Sequence, residues 1–162
     1  MVTRWVGLVL VALAGCGGAS SQDVQQARTA RYTCPFEQVY DATMKAMEEV
    51  FYRVNVADPR AGTLLSEPRW YEQGGTPRKR GVAEVFDGDV NLVVQARIIK
   101  DGPGYALAIA ADVVEYLSGS PQGRRLTARD PNRPAWVQGK LDRMAVTAHE
   151  RLTACVQASI RR

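Results

Sequence analysis

Two runs of alternating apolar residues, separated by the short segment KDGPG, constrain the fold of this 162-residue chain more than any other feature. The first run contains Val90, Leu92, Val94, Ala96 and Ile98, and the second contains Tyr105, Leu107, Ile109, Ala111 and Val113. If residues 101–104 form a turn, Lys100 opposes Tyr105 and both apolar sets fall on one face of the sheet. A slip of one residue would expose one set to water. The pattern therefore predicts an antiparallel hairpin with a single buried face.

An amphipathic helix is predicted on each side of this hairpin. In the stretch TCPFEQVYDATMKAMEEVF, one face collects Phe36, Tyr40, Thr43, Met47 and Val50 at spacings of three and four. A second helix, beginning near Trp136, carries the stripe Val137, Leu141, Met144, Ala148, Leu152 and Cys155. Each stripe is the face that the helix is expected to bury.

A second pair of strands is predicted directly after the first helix. Val54 and Val56 alternate with polar residues, DPRAG supplies turn residues, and an extended run begins at Thr63 and ends near Pro68. Residues 118–135 are rich in Pro, Gly and Arg, so they are predicted to form a surface loop. The fold class is predicted to be α+β in the order α-β-β-β-β-α, a four-stranded antiparallel sheet with both helices on one face.

The N-terminus has the three parts of a secretory signal, namely a charge at Arg4, an apolar run over residues 6–13 and small residues after it. The run is shorter than the roughly 20 residues that a membrane-spanning helix needs. Residues 1–15 are therefore predicted to be a signal peptide. Residues 16–32, rich in Gly, Ser and Gln, are predicted to be a flexible tether to a single domain over residues 33–162.

The end of the signal, Leu13-Ala14-Gly15-Cys16, resembles the lipobox of bacterial lipoproteins. The resemblance implies cleavage by signal peptidase II between Gly15 and Cys16, with Leu13 and Ala14 completing the recognised motif. It also implies that the Cys16 sulfur carries a diacylglycerol and that acyl chains attach the protein to a membrane. The alternative is an ordinary secretory signal that contains a cysteine by coincidence.

Cys34 and Cys155 are the remaining cysteines. Because an exported domain folds in an oxidising compartment, an even pair predicts a disulfide between them. Antiparallel packing of the two predicted helices would also bring the two cysteines close together. The alternative is a pair of buried free thiols, which behave as small apolar side chains.

The segments PFEQVYDATMKAMEE and YRVNVADPRAGTLLSE are similar to the helix-grip domains of BamC-type outer-membrane lipoproteins and of several small lipoprotein families. The resemblance implies a helix-grip-like fold and the role of an accessory in an envelope assembly complex. Gly17, rather than Asp, follows Cys16, which by the sorting rule of lipoproteins implies the outer membrane, facing the periplasm.

No residue pattern in the sequence favours catalysis. The single histidine, His149, has no second histidine or free cysteine to help it bind a metal, and no G-x-S-x-G motif is present. Asp87-Gly88-Asp89 lacks the further oxygen ligands of a calcium loop. The protein is therefore predicted not to be an enzyme and to need no metal or other cofactor.

Basic residues near aromatic ones are the candidate binding residues. Arg78, Lys79 and Arg80 lie in one loop near Trp70, while Arg124, Arg125, Arg129 and Arg133 lie in a second loop. Such a surface suits anionic lipid or an acidic envelope protein, and its alternative is a set of solvated loops. The formal net charge of +4 is too small to favour nucleic acid as a partner.

These observations predict a membrane-anchored envelope lipoprotein that acts as a non-enzymatic binding or scaffold module. A second hypothesis is a periplasmic carrier of lipid or another small ligand, associated with a transport system and holding its ligand between helices and sheet.

Overall fold

Helices at both ends of the described chain enclose a run of strands, so the class is α+β as predicted. The computed structural model describes residues 19–51, 53–79 and 84–156. In chain order the elements are α1 (Ser21–Thr29), α2 (Phe36–Phe51), β1 (Val54–Asp58), β2 (Thr63–Ser66), β3 (Arg69–Tyr71), β4 (Val90–Asp101), β5 (Gly104–Leu117), β6 (Ser120–Arg125) and α3 (Ala135–Arg151), followed by a 3-10 turn at Thr153–Cys155.

The described strands form one antiparallel sheet in the order β1-β2-β4-β5-β6, with β3 also paired to β4. The predicted number of four strands is wrong, because the described residues contain six. One extra strand arises from Pro68, which separates β2 from β3 although both pair with β4. At the break, the Ser66 hydroxyl accepts a hydrogen bond from the Val94 N–H at 2.9 Å. The side chain thus replaces a backbone acceptor where the ladder is interrupted.

The sixth strand lies within the region that was predicted to be a loop. Ser120–Arg125 folds back on β5 after a tight turn in which Gly119 has φ +83°, with Leu117 opposite Ser120. A left-handed backbone of this kind favours glycine. The charged composition of β6 is typical of an edge strand, where cations discourage pairing with another chain. The loop-like composition of residues 120–125 therefore did not indicate a strand, and pairing with β5 is what stabilises β6.

The register of the central hairpin is the one that the alternating pattern predicts. Lys100 pairs with Tyr105, Ile98 with Leu107, and Leu92 with Val113. The turn itself is tighter than a four-residue loop, since Asp101 still pairs with Gly104. The apolar sets of β4 and β5 consequently share the face that the helices cover.

The hydrophobic core lies between this face and helices α2 and α3. The predicted stripes are confirmed for Tyr40, Thr43, Met47, Val137, Leu141, Met144 and Ala148, which are all buried. β1 follows the alternating pattern only in part. The register shifts between Val54 and Val56, and Val56 is 43% exposed. A bulge of this kind turns the following side chains away from the face predicted from strict alternation.

The segment predicted to be a flexible tether over residues 16–32 instead contains helix α1. Ser20 caps this helix by accepting a hydrogen bond from the Asp23 N–H at 3.2 Å. The Asp23 carboxylate in turn accepts a hydrogen bond from the Ser20 N–H. Ala27 is buried and Arg28 pairs with Asp142 of α3. Because a nine-residue helix is marginal alone, its packing against α3 is what stabilises it. The folded part therefore begins well before residue 33.

Candidate functional site

The residues predicted to anchor the chain, Leu13, Ala14, Gly15 and Cys16, lie outside the described residues. The structure starts at Ala19, directly before the residue that caps α1. Among the helices of residues 19–156 that are described, none has the length and apolar character to cross a bilayer. The lipid anchor accordingly stays a prediction from sequence.

Cys34 and Cys155 meet where α2 begins and the 3-10 turn after α3 ends, as a disulfide with Cα atoms 5.3 Å apart. Backbone contacts flank them. The Thr33 N–H donates to the Cys155 carbonyl at 2.8 Å, and Tyr32 forms isolated bridges with Tyr105 and Val156. The predicted proximity of the two cysteines is thus confirmed, and it joins the two ends of the fold.

The predicted basic contact residues have separate environments. Trp70 lies on β3 and makes an edge contact with Tyr116, with ring centroids 6.3 Å apart. Arg78 donates to both carboxylate oxygens of Asp89, at 2.6 and 2.9 Å. Lys79 is exposed, and Arg80 lies outside the described residues. Arg78 is therefore engaged in an internal ion pair, and its contact with an anionic partner stays a prediction.

Asp89, the partner of Arg78, is a buried carboxylate whose exposure is 2%. Burial alone would raise its pKa, but the hydrogen bonds from Arg78 and the Phe86 N–H, together with the charge of Arg78, outweigh burial and lower the pKa. The carboxylate therefore stays ionised in the folded protein. The pair ties the loop after β3 to the start of β4.

The second basic region also contains internal ion pairs. Arg124 bonds Glu115 through its Nε at 3.0 Å, and Arg125 bonds Asp112 at 3.1 Å. Arg133 differs, because its guanidinium has neither a carboxylate partner nor a hydrogen-bond acceptor among the described residues. It is half-buried, and burial lowers its pKa. This region therefore offers one partly desolvated, unpaired cation.

A groove runs along β5 beside α1 and α3. It consists of two adjoining depressions of about 310 and 340 Å³, both of which are lined by Ile109, Gln138 and Leu141. The first extends to Ala27, Arg28, Leu107 and Ala145, while the second extends to residues that include Ala111, Leu126 and Arg133. Each volume is at the lower end of the range for small-molecule pockets, about 300–1,000 Å³.

The groove exists because the helices cover the two central strands unequally. On β4 the residues that face the helices are buried, as at Val94 and Ala96 with exposures of 0%. Their β5 partners, Ala111 and Ile109, are only half-buried. The core face of the sheet thus continues beyond the layer formed by α2 and α3, and an apolar strip of β5 remains accessible.

His149 has a structural contact. Its Nδ1 lies 3.1 Å from the Tyr32 hydroxyl, and it is half-buried. Burial raises the pKa of Tyr32 to about 12, so this phenol remains protonated at neutral pH. Within the described ranges, no three His, Cys, Asp or Glu side chains are grouped so as to hold a metal ion. The contact between Tyr32 and His149 links the segment before α2 to α3.

A cation packed on aromatic rings joins α3 to β3. Lys140 Nζ lies 4.9 Å from the ring centroid of Tyr71 and 5.9 Å from that of Trp136. Burial lowers the pKa of Lys140, and the positive charges of Arg69 and Arg143 lower it further. The faces of the Tyr71 and Trp136 rings attract the Lys140 ammonium group, and this attraction compensates in part for the hydration that burial removes.

Sequence reasoning missed α1 and the distinct environment of Arg133. A signal for α1 was present, because Ser20 followed three residues later by Asp23 is a capping pattern. No comparable signal distinguished Arg133 from Arg124 and Arg125. Only tertiary pairing shows which of these guanidinium groups lacks a carboxylate.

No protein-family model matches this chain, and no curated protein matches it. The interpretation of function therefore rests on sequence pattern and on the geometry of the groove.

Proposed function

We propose that this protein is a lipid-anchored lipoprotein of the outer membrane, facing the periplasm, and that its α+β domain acts by binding. The observation that carries the proposal is the lipobox-like sequence Leu13-Ala14-Gly15-Cys16 directly ahead of a folded domain. Two or three acyl chains on Cys16 would make membrane attachment stable, whereas one chain would give only marginal binding.

The position of α1 gives this anchor a short reach. Two residues lie between Cys16 and Ala19, the first described residue, so three Cα–Cα steps of at most about 3.6 Å give a reach of roughly 11 Å in total. Because α1 packs on α3, the proposal places the α1 side of the domain close to the headgroups. A tether over residues 16–32 would instead have let the domain move freely above the membrane.

The binding role has two forms. In the first, the domain is a helix-grip-like scaffold and an accessory of an envelope assembly complex, as its resemblance to BamC-type lipoproteins implies. Exposed Lys79 and the edge of Trp70 would then contact an acidic envelope protein or anionic lipid. In the second, the domain is a carrier of lipid or another small ligand. The groove along β5 favours this second form, since it offers an accessible apolar surface beside a helix layer.

The anchor is tested by labelling cells with a clickable fatty acid and comparing wild type with Cys16→Ser. We expect Cys16→Ser to lose both the label and membrane association, because the thiol is the proposed acylation site. Cys155→Ser is the matched control, since it removes a different cysteine and should keep the label per unit of protein. Label and membrane association that persist in Cys16→Ser would refute the anchor.

The two forms of binding are separated by cross-linking in intact cells. A photoreactive residue at position 138, on the groove, is compared with one at position 79, in the basic loop. Adducts of lipid mass confined to position 138 would support the carrier form, whereas protein adducts confined to position 79 would support the scaffold form.

A further inference from the structure

The two depressions of the groove along β5 each contain arginine side chains, and the arginines differ in whether a carboxylate pairs with them. Arg133 and Leu126 line one depression, and Ala27, Arg28 and Ala145 line the other. Ile109, Leu141 and Gln138 line both depressions, so the shared middle is apolar along Ile109 and Leu141 and carries the Gln138 amide at its exposed rim. A ligand that fills the whole groove can therefore place an anionic head against Arg133 and an apolar chain along Ile109 and Leu141.

The charge of Arg133 is not paired with a carboxylate in the part of the chain that the structure describes. Arg28 and Arg125, which also line the groove, pair with Asp142 and Asp112. Arg133 has no such partner among the described residues, and it is half-buried. A partly desolvated guanidinium without a carboxylate partner favours binding of an anion. A charge-assisted bidentate hydrogen bond to the anion compensates for the solvation free energy that the guanidinium loses on burial.

The length of the groove fits a single acyl chain. Ala111 and Leu107 lie four residues apart on β5, which spans about 13 Å of strand. The helix side offers a matching run, since Gln138, Leu141 and Ala145 recur at spacings of three and four along α3. The surface is one strand wide beside one helix, which suits one chain better than a two-chain lipid.

We propose that this groove binds an amphiphile with one acyl chain and one anionic head, of the fatty acid or lysophospholipid class, and that Arg133 contacts the head. The proposal rests on the proposed function in its carrier form and names the ligand class of that site. The acyl chain lies along Ile109 and Leu141 towards α1. The ligand enters from the side of the domain that the short anchor holds near the membrane.

Binding is measured by equilibrium dialysis of radiolabelled laurate against the full chain in nanodiscs, with empty nanodiscs as the blank. Lauroyl lysophosphatidylglycerol and uncharged monolaurin are added as competitors. We expect saturable laurate binding that both laurate and the lysophospholipid displace and that monolaurin displaces poorly. Because the labelled ligand is laurate itself, displacement by the lysophospholipid shows that the site also accepts a phosphodiester head, and a lysophospholipid that fails to displace laurate would restrict the head to a carboxylate.

Two variants and one control locate the site. Arg133→Gln should weaken laurate binding by at least about tenfold, because it removes a charge-assisted contact. Gln138→Trp, at an exposed position on the rim, should obstruct the chain and weaken binding as well. Arg97→Gln is the matched control and should bind normally, because Arg97 is exposed on β4 at a position that alternates with the buried core residues.

Three results would overturn the proposal: no saturable binding above the blank, equal displacement by monolaurin, or wild-type affinity in Arg133→Gln. The mass of the same protein sample reports acylation independently. A chain that lacks acyl groups but binds laurate through Arg133 would refute the anchor alone. An acylated chain without laurate binding would refute the groove alone.

Discussion

The bond between Cys34 and Cys155 is expected to be a large single contribution to the stability of the domain. It joins residues 121 positions apart, so it restricts almost the whole domain in the unfolded state. The perturbation is the double variant Cys34→Ala with Cys155→Ala, compared with wild type before and after reduction. Reduced wild type is the closer comparison, since it keeps both sulfur atoms and loses only the bond.

The magnitude follows from the length of the closed loop. In the chain-entropy model, a loop of this size corresponds to about 4.7–5 kcal/mol at 25 °C, and measured values for disulfides are commonly about 2–4 kcal/mol. We therefore expect the free energy of unfolding to fall by about 2–5 kcal/mol. With a urea dependence of about 2 kcal/mol per molar, the midpoint of unfolding moves down by about 1–2.5 M.

The folded structure should survive this change. The hydrogen bond from the Thr33 N–H to the Cys155 carbonyl, at 2.8 Å, and the bridge between Tyr32 and Val156 hold the same two segments together without the sulfur atoms. The effect therefore resides mainly in the unfolded chain, which gains freedom when the bond is absent.

Pulse proteolysis of membrane vesicles in increasing urea measures the midpoint on the full chain. Reductant should lower the wild-type midpoint to near that of the double variant and leave the double variant unchanged. A shift below about 0.3 M on reduction, with loss of the bond verified by thiol alkylation, would refute the reasoning from loop length.

Three further outcomes are expected. The pKa of Asp89 is lowered in the folded state, so its contribution to stability is complete above the unfolded value of about 3.9 and is lost as pH falls through the folded value. Asp89→Asn should show a smaller loss of unfolding free energy on acidification below pH ~4 by urea titration, and an unchanged slope would contradict this. Gly104→Ala should lower the free energy of unfolding, measured by urea titration, by about 1–3 kcal/mol, because an added Cβ would lie 2.6 Å from the Tyr32 carbonyl oxygen. Gly74→Ala, with nothing within 4 Å of its Cβ, is the control, and equal effects in both variants would contradict the steric argument. Gly139→Ala, exposed within α3 and unobstructed, should stabilise the protein by about 0.5–1 kcal/mol, and a lower thermal midpoint would contradict that.

The central hairpin and the faces of α2 and α3 could be predicted because their patterns are long and periodic. For the hairpin, only one register buries both apolar sets, as with Ile98 opposite Leu107. For the helices, residues such as Met47 and Met144 recur at the spacing that places them on one face, and both are fully buried.

Shorter elements were harder to predict from the sequence. β3 has three residues and β6 has six, so neither carries enough alternation to distinguish a strand from a loop. α1 has few apolar residues beyond buried Ala27, and its stability depends on α3. In each case the partner, rather than the segment, determines the conformation.

The candidate site shows the same division. Sequence predicted that Leu107, Ile109 and Ala111 share the face turned towards the helices, and it marked Arg133 only as one of several loop cations. The accessible groove follows from where the helix layer ends, and the environment of Arg133 follows from which arginines reach a carboxylate among the described residues.

The sequence by itself determined the α+β class, the register of β4 against β5 and the buried faces of the long helices. Periodic apolar residues encode these features locally, through the repeat of a strand or helix. The tertiary structure alone decided the extra strands, the packing of α1, the accessible part of β5 and the ion pairs. These features depend on distances between residues far apart in the chain, which local patterns do not specify.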